Sequence, residues 1–273
     1  MESGGVILAV SKPPISSISK IAGFDTPRKD RAGLLNQRNR HGMKIIKNEK
    51  LIKRNGKIGS GLSLAALAVL GLGMYISLVR QDLFIYALIA LIVGFIMTQI
   101  GMYLGNKFGR RPRPDEKLDA GLKGMPGDYT LYHYTTPASH LLMGPAGLWL
   151  LMPYHQRGQV VFKKKRWQMS GGGFIQSYMR IFGQEGLGRP DIEIDKETSS
   201  LQKYLAKRME GSELPEIRSV LVFTSDEVEI DPEGADIPAL KVKQLKDFIR
   251  QKAKEKPIGQ LQLTAVKAAL PEE

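Results

Sequence analysis

Three histidines, His133, His140 and His155, lie close together in the chain. Three imidazoles are enough to ligate zinc. No carboxylate joins them locally, because residues 139–159 contain no Asp or Glu. His133 and His140 also fall on separate strand segments whose register the sequence leaves open. Structural histidines are the plainer reading, and no metal or cofactor is expected. A second stretch with chemical potential is Lys163, Lys164, Lys165 and Arg166, followed by Trp167. Four cations beside an indole suit a phosphate backbone or an anionic lipid headgroup. A solvated hairpin tip is the alternative. Gly183, Gly186 and Gly188 resemble a phosphate-cradling loop only loosely, since no clear strand precedes them and no Lys-Ser/Thr ending follows. The chain has no cysteine, which excludes disulfides, thiolate catalysis and Cys-ligated zinc.

The elements that must carry these residues begin with two apolar runs, Ile58 to Val79 and Leu83 to Asn106. Neither contains Asp, Glu, Lys or Arg. A bilayer core of about 30 Å needs roughly 20 apolar residues of helix. Only Arg80, Gln81 and Asp82 separate the runs, so they read as an antiparallel transmembrane hairpin over residues 58–106. A pair of buried core helices is the soluble alternative, and two such runs back to back argue against it. The first run is too long for a cleaved signal peptide. Lys44, Lys47, Lys50, Lys53, Arg54 and Lys57 precede the hairpin, and Lys107, Arg110, Arg111, Arg113 and Lys117 follow it. That bias predicts a two-pass cell-membrane protein with both termini cytoplasmic and with membrane lipids as partners. Gly101 and Gly105 form a Gly-x-x-x-Gly pattern that allows close helix packing, but the pattern alone is weak and chance occurrence in a Gly-rich membrane helix is the plainer reading.

The net charge is +13, but residues 1–57 hold 13 Lys or Arg against 4 acids. The excess therefore belongs to the N-terminal arm, not to a nucleic-acid-binding domain. Residues 1–57 read as a basic arm, disordered where no period is sustained. The segment from Met43 leads straight into the membrane run, and Met43 is the expected native start.

A soluble domain is expected over residues 107–255. Pro112 and Pro114 end the second membrane helix. Asp115 to Lys123 predicts a short helix with acids in its first turn. Tyr129 to Thr135, Ser139 to Met143 and Gly147 to Met152 read as strands. Gly144-Pro145-Ala146-Gly147 punctuates the last two as a hairpin turn. Val160 to Lys164 and Arg166 to Met169 suit a further hairpin, and Gly171 to Gly188 is irregular. Pro190 to Met209 predicts a helix, Ile217 to Thr224 a strand, Glu227 to Ile230 a weak strand and Val242 to Ala253 an amphipathic helix. Residues 256–273 are a tail or a short helix.

The order helix, three strands, helix, strand is that of the restriction-endonuclease-like α/β fold. At this point the sequence resembles the nuclease-related domain (NERD) family over about residues 114–250. Glu116 matches the family's acid in the first helix, and His140 the histidine of its Asp-His strand. Gly144-Pro145-Ala146-Gly147 matches its Gly-Pro-x-Gly hairpin, Gly158 the glycine after the third strand, and Val220 to Thr224 its fourth strand. The departures fall on the catalytic positions. The family's Asp is Ser139, its Glu is Met152 and its Lys is Tyr154. The resemblance implies carboxylates that hold Mg²⁺ and a lysine that orients the attacking water. A hydroxyl, a thioether and a phenol replace them here. The expectation is a membrane-anchored, NERD-like pseudoenzyme without nuclease catalysis, a cytoplasmic module that binds nucleic acid or another protein. The alternative is a membrane-tethered, metal-dependent nuclease with a relocated site. Glu116, Glu185 and Asp191 are the acids near enough in sequence to serve it.

Overall fold

A computed structural model describes residues 42–170, 186–209 and 213–272. The expected disordered arm over residues 1–41, and most of the irregular stretch from Gly171, lie outside the described residues. The described chain starts with a strand, β1 (Lys44–Lys47), and not with a membrane flank. Ile46 turns into the core, and β1 pairs in parallel with β2 (Thr130–His133). Residues 44–57 are therefore not an arm. Asn48 ends the strand and caps the next helix, accepting from Leu51 N–H at 2.9 Å.

That helix, α1 (Glu49–Val79), is followed by a short 3₁₀ turn (Gln81–Leu83) and by α2 (Phe84–Leu104). At 1.5 Å per residue they are about 46 and 31 Å long, and both are long and apolar enough to cross a membrane. They lie directly on one another. The residues they bury recur every seventh position, Ile52, Gly59, Ala66 and Gly73 on α1 and Ala87, Gly94 and Gly101 on α2. A seven-residue repeat keeps one seam between two helices that supercoil left-handedly. The glycines in that seam let the backbones meet. A β-carbon on Gly101 would lie 2.5 Å from Ser63 Oγ, whereas one on Gly105 meets nothing within 4 Å. Gly105 approaches α1 only through its backbone, whose N would lie 3.0 Å from a β-carbon on Gly59, while its own side-chain position faces away from the seam. The outer faces keep large apolar side chains exposed, Leu67, Leu78 and Phe84 among them.

A π-helical turn (Gly105–Gly109) closes the hairpin and leads to α3 (Pro114–Gly121), where Pro114 fits the first helical turn. The chain then builds β3 (His140–Gly144), β4 (Gly147–Tyr154), β5 (Gly158–Lys163) and β6 (Arg166–Ser170). Next come α4 (Pro190–Ala206), β7 (Ile217–Phe223), β8 (Val228–Asp231), β9 (Ala239–Lys241), α5 (Val242–Glu255) and α6 (Gln260–Ala269).

The main sheet runs β1-β2-β3-β4-β7-β9. β2, β3 and β4 form an antiparallel meander, and β7 returns parallel to β4. β4 is apolar nearly throughout because helices cover both faces, as a central strand requires. Leu118 of α3 and Leu245 and Ile249 of α5 pack on one face with Leu131, Leu142 and Leu151. Leu201 and Leu205 of α4 and Val266 of α6 pack on the other with Tyr132, Leu141 and Leu150. Residues 256–273 thus contribute a core helix. A smaller sheet, β6-β5-β8, adjoins the ends of β4 and β7 through Tyr154, Val160, Phe223 and Val228.

Candidate functional site

β4 and β7 end together, and a cleft of about 780 Å³ opens at their carboxyl ends. Crevices at the carboxyl ends of parallel strands are where open α/β sheets bind ligands. Pro153 and Tyr154 supply one wall, Thr224 and Ser225 another. Thr224 ties the strands, donating from Oγ1 to the Tyr154 carbonyl at 3.1 Å and accepting from Lys117 Nζ at 3.2 Å.

The positions matched to the nuclease motif divide between the two faces of the sheet. Met152 and Tyr154 point toward α4, packing with Ile194. The Tyr154 hydroxyl donates to Glu193 Oε2 at 2.9 Å. Burial, with Glu193 beside it, pushes that phenol far above its ordinary range. Ser139 just precedes β3, and both its Oγ and its N–H donate to Glu197, at 2.6 and 3.1 Å. Ser139 and Tyr154 therefore hold carboxylates one helical turn apart on α4. Glu116 is on α3, across the sheet. It accepts from the Arg113 N–H at 3.0 Å and pairs with the Arg113 guanidinium at 3.1 Å, which caps its own helix. Glu185 lies outside the described residues, and Asp191 pairs at the surface with Arg189 at 2.7 Å. The carboxylates that do reach the matched positions, Glu193 and Glu197, were not among the expected acids. Their signal was available in the sequence, because Glu197 interrupts the inward stripe Ile194, Leu201, Leu205.

His133 and His140 are register partners on β2 and β3, with Nδ1 atoms 2.7 Å apart, so one proton lies between them. His133 Nε2 contacts Asp119 Oδ1 at 3.0 Å. Asp119 also meets Lys47 of β1, which reaches Asp115 at 3.1 Å, and Arg113 Nε and Nη2 bond the same Asp115. Burial opposes the charge on Asp115, but Arg113 and Lys47 outweigh it and hold the carboxyl down at about 2. Burial likewise opposes charge on Asp119, and His133 and Lys47 overcome it. His140 is 2 % exposed, and burial with His133 beside it keeps it neutral, well below the usual histidine range. Tyr134 stacks edge-on against His140 with a centroid separation of 4.8 Å, in a left-handed conformation at φ 56°. It also carries the root of the hairpin, Phe108 and Ile52. This network is structural in its geometry. His155 is apart from it, on the rim of the cleft. Among the described residues, no group of three or more His, Asp or Glu is arranged to hold a metal ion.

Lys163, Lys164, Lys165 and Arg166 form the exposed tip of the β5–β6 hairpin. Lys164 and Lys165 occupy the two turn positions at φ 52° and 59°, where a type I′ turn prefers Asn-Gly. The turn thus presents two ammonium groups at some cost in backbone strain.

Fold and cleft define a mixed α/β sheet domain that carries two long apolar helices. No family model matches the chain, and neither a curated protein nor a solved structure is similar to it.

Proposed function

We propose that the chain is a two-pass membrane protein whose cytoplasmic, NERD-like domain binds a partner and does not cleave nucleic acid. Two observations support the membrane part. Large apolar side chains are exposed along both long helices, over far more surface than soluble monomers leave bare. Lys and Arg flank the hairpin on the side of the sheet domain, which favours a cytoplasmic domain. The meander β2-β3-β4, the crossing α4 and the return of β7 parallel to β4 support the restriction-endonuclease-like reading.

The observation that carries the loss of catalysis is the pairing of Ser139 with Glu197 and of Tyr154 with Glu193. The positions that would present a metal-binding carboxylate and a catalytic lysine present hydroxyl donors. Those donors occupy the nearest carboxylates. The partner is nucleic acid, another protein or the membrane surface itself, and salt-dependent filter binding separates the first from the others.

A second reading is favoured by the same two glutamates. Glu193 and Glu197 stand one turn apart, as a relocated acid pair would, and would make the chain a tethered nuclease. An assay with the full chain, Mg²⁺ or Mn²⁺ and mixed DNA and RNA decides between them. No cutting above the blank is expected. Metal-dependent cutting that disappears in Glu197→Gln establishes the nuclease instead.

A further inference from the structure

We infer that the cleft at the ends of β4 and β7 binds the headgroup of an anionic phospholipid that carries a free hydroxyl, a polyol phosphodiester. The inference rests on the membrane reading above. Four cations from three segments line this cleft: Arg110 and Arg111 after the π-helical turn, Lys117 on α3 and Arg157 between β4 and β5. No Asp or Glu is among the described residues that line it. Arg111 and Arg157 have carboxylate partners, Glu116 at 3.7 Å and Glu227 at 3.5 Å, both loose and solvent-screened. Among the described residues, Arg110 makes no ion pair, and Lys117 meets the neutral hydroxyl of Thr224.

A second observation is independent of charge. Gln156 lines the same cleft and is 6 % exposed. Its Nε2 donates to the Gly186 carbonyl at 2.9 Å, while its buried Oε1 has no hydrogen-bond partner. Flipping the amide would set two oxygens against each other, so the orientation is fixed. Buried acceptors are nearly always satisfied, and this one asks for a donor. Cations beside an acceptor select a ligand that is anionic and also donates a hydrogen bond. A phosphodiester with a sugar-alcohol hydroxyl is both.

Location selects lipid over other polyol phosphates. Asn106, the first residue of the lining, follows the end of α2 at Leu104 by half a turn. The lining thus begins where the apolar helix stops, which is the depth of the phosphodiester layer. Juxtamembrane basic pockets of this kind hold anionic headgroups.

The test uses the full chain in neutral detergent, titrated with phosphatidylglycerol, phosphatidylmethanol and phosphatidylcholine and read by native mass spectrometry. Phosphatidylglycerol is expected to bind best and phosphatidylcholine least. Arg110→Gln with Arg157→Gln, both at exposed positions, should lower phosphatidylglycerol affinity about thirtyfold. Gln156→Leu should cost about fivefold against phosphatidylglycerol and leave phosphatidylmethanol, a phosphodiester with no hydroxyl to donate, unchanged. Equal binding of the three lipids overturns the inference, as does an unchanged affinity in the double variant. Glycerol 3-phosphate binding as tightly as the lipid moves the site to a soluble ligand and overturns the lipid assignment. Displacement of the lipid by a single-stranded oligonucleotide overturns it too. Alkaline carbonate extraction tests the membrane reading separately. Release of the chain from membranes defeats that reading, whereas a retained chain without lipid preference defeats the site alone.

Discussion

Lys47 joins two stretches of chain that the hairpin separates. It sits on β1 and bonds Asp115 and Asp119 on α3. Asp115 has no exposed surface, so removing Lys47 leaves a buried carboxylate with Arg113 as its one remaining cation among the described residues. Lys47→Met should destabilise the domain by about 3 kcal/mol, the lower end for a broken buried pair. Chemical unfolding of the full chain in detergent measures it, and a loss below about 1 kcal/mol would show Arg113 sufficient alone. The same network sets the response to acid. The Asp115 carboxyl is depressed in the fold, so its contribution is complete above about pH 4 and is lost as pH falls toward 2. Its size is about 2 kcal/mol. His140 is held neutral, so the unfolded chain takes up a proton first. Its contribution is whole above about pH 7 and shrinks as pH drops below about 6.5. The midpoint of thermal unfolding should therefore fall in two stages, one beginning near pH 6.5 and one near pH 4. His140→Gln should remove the upper stage and leave the lower. A variant that keeps both stages would assign the upper one elsewhere.

The hairpin shows what an element reveals in sequence and what it conceals. Its existence was legible because hydrophobic length is additive and needs no partner to be read. Its seam was not, because Gly101 and Gly105 have the spacing of a well-known packing face while the observed contact repeats every seventh residue. Gly101 faces the Ser63 backbone N at 3.1 Å from a built β-carbon, and that neighbour cannot swing away. Gly101→Leu should destabilise the helix pair by about 2 kcal/mol through overpacking, and Gly105→Leu should do little. Thermal unfolding in detergent compares the two, and an equal effect would refute the seven-residue seam. The sheet elements follow the same rule. β2, β3, β4 and β7 were legible from apolar runs and turns. β1 was hidden because Lys44 and Lys47 made its four residues read as a basic membrane flank. Glu193 and Glu197 escaped because their meaning lies in Tyr154 and Ser139, which only the tertiary fold sets against α4.

At the scale of the whole molecule, the hairpin is an insertion. β1 enters the sheet before it, and α3 resumes the domain after it, so the sheet domain is discontinuous in sequence. β1 covers the β2 edge, where Asn48 N–H donates to the His133 carbonyl at 3.0 Å, and it delivers Lys47 to its two carboxylates. A chain that starts at residue 107 leaves that edge unpaired and Asp115 without Lys47, even though it holds every other element of the sheets. Edges of that kind aggregate. The two roots of the hairpin are close, however. A β-carbon on Gly56 would lie 3.2 Å from the Phe108 carbonyl oxygen. A Gly/Ser linker of about six residues, which reaches roughly 20 Å, can therefore replace residues 57–105. Such a chain keeps β1 and retains Ile52 and Phe108 over Tyr134. It should be soluble without detergent and unfold cooperatively, while the chain from residue 107 should aggregate. Solubility and denaturant titration followed by circular dichroism compare the two. If the shorter chain folds as well, β1 is an ornament of the edge. If neither folds, the long helices belong to the core of the domain and do not merely tether it.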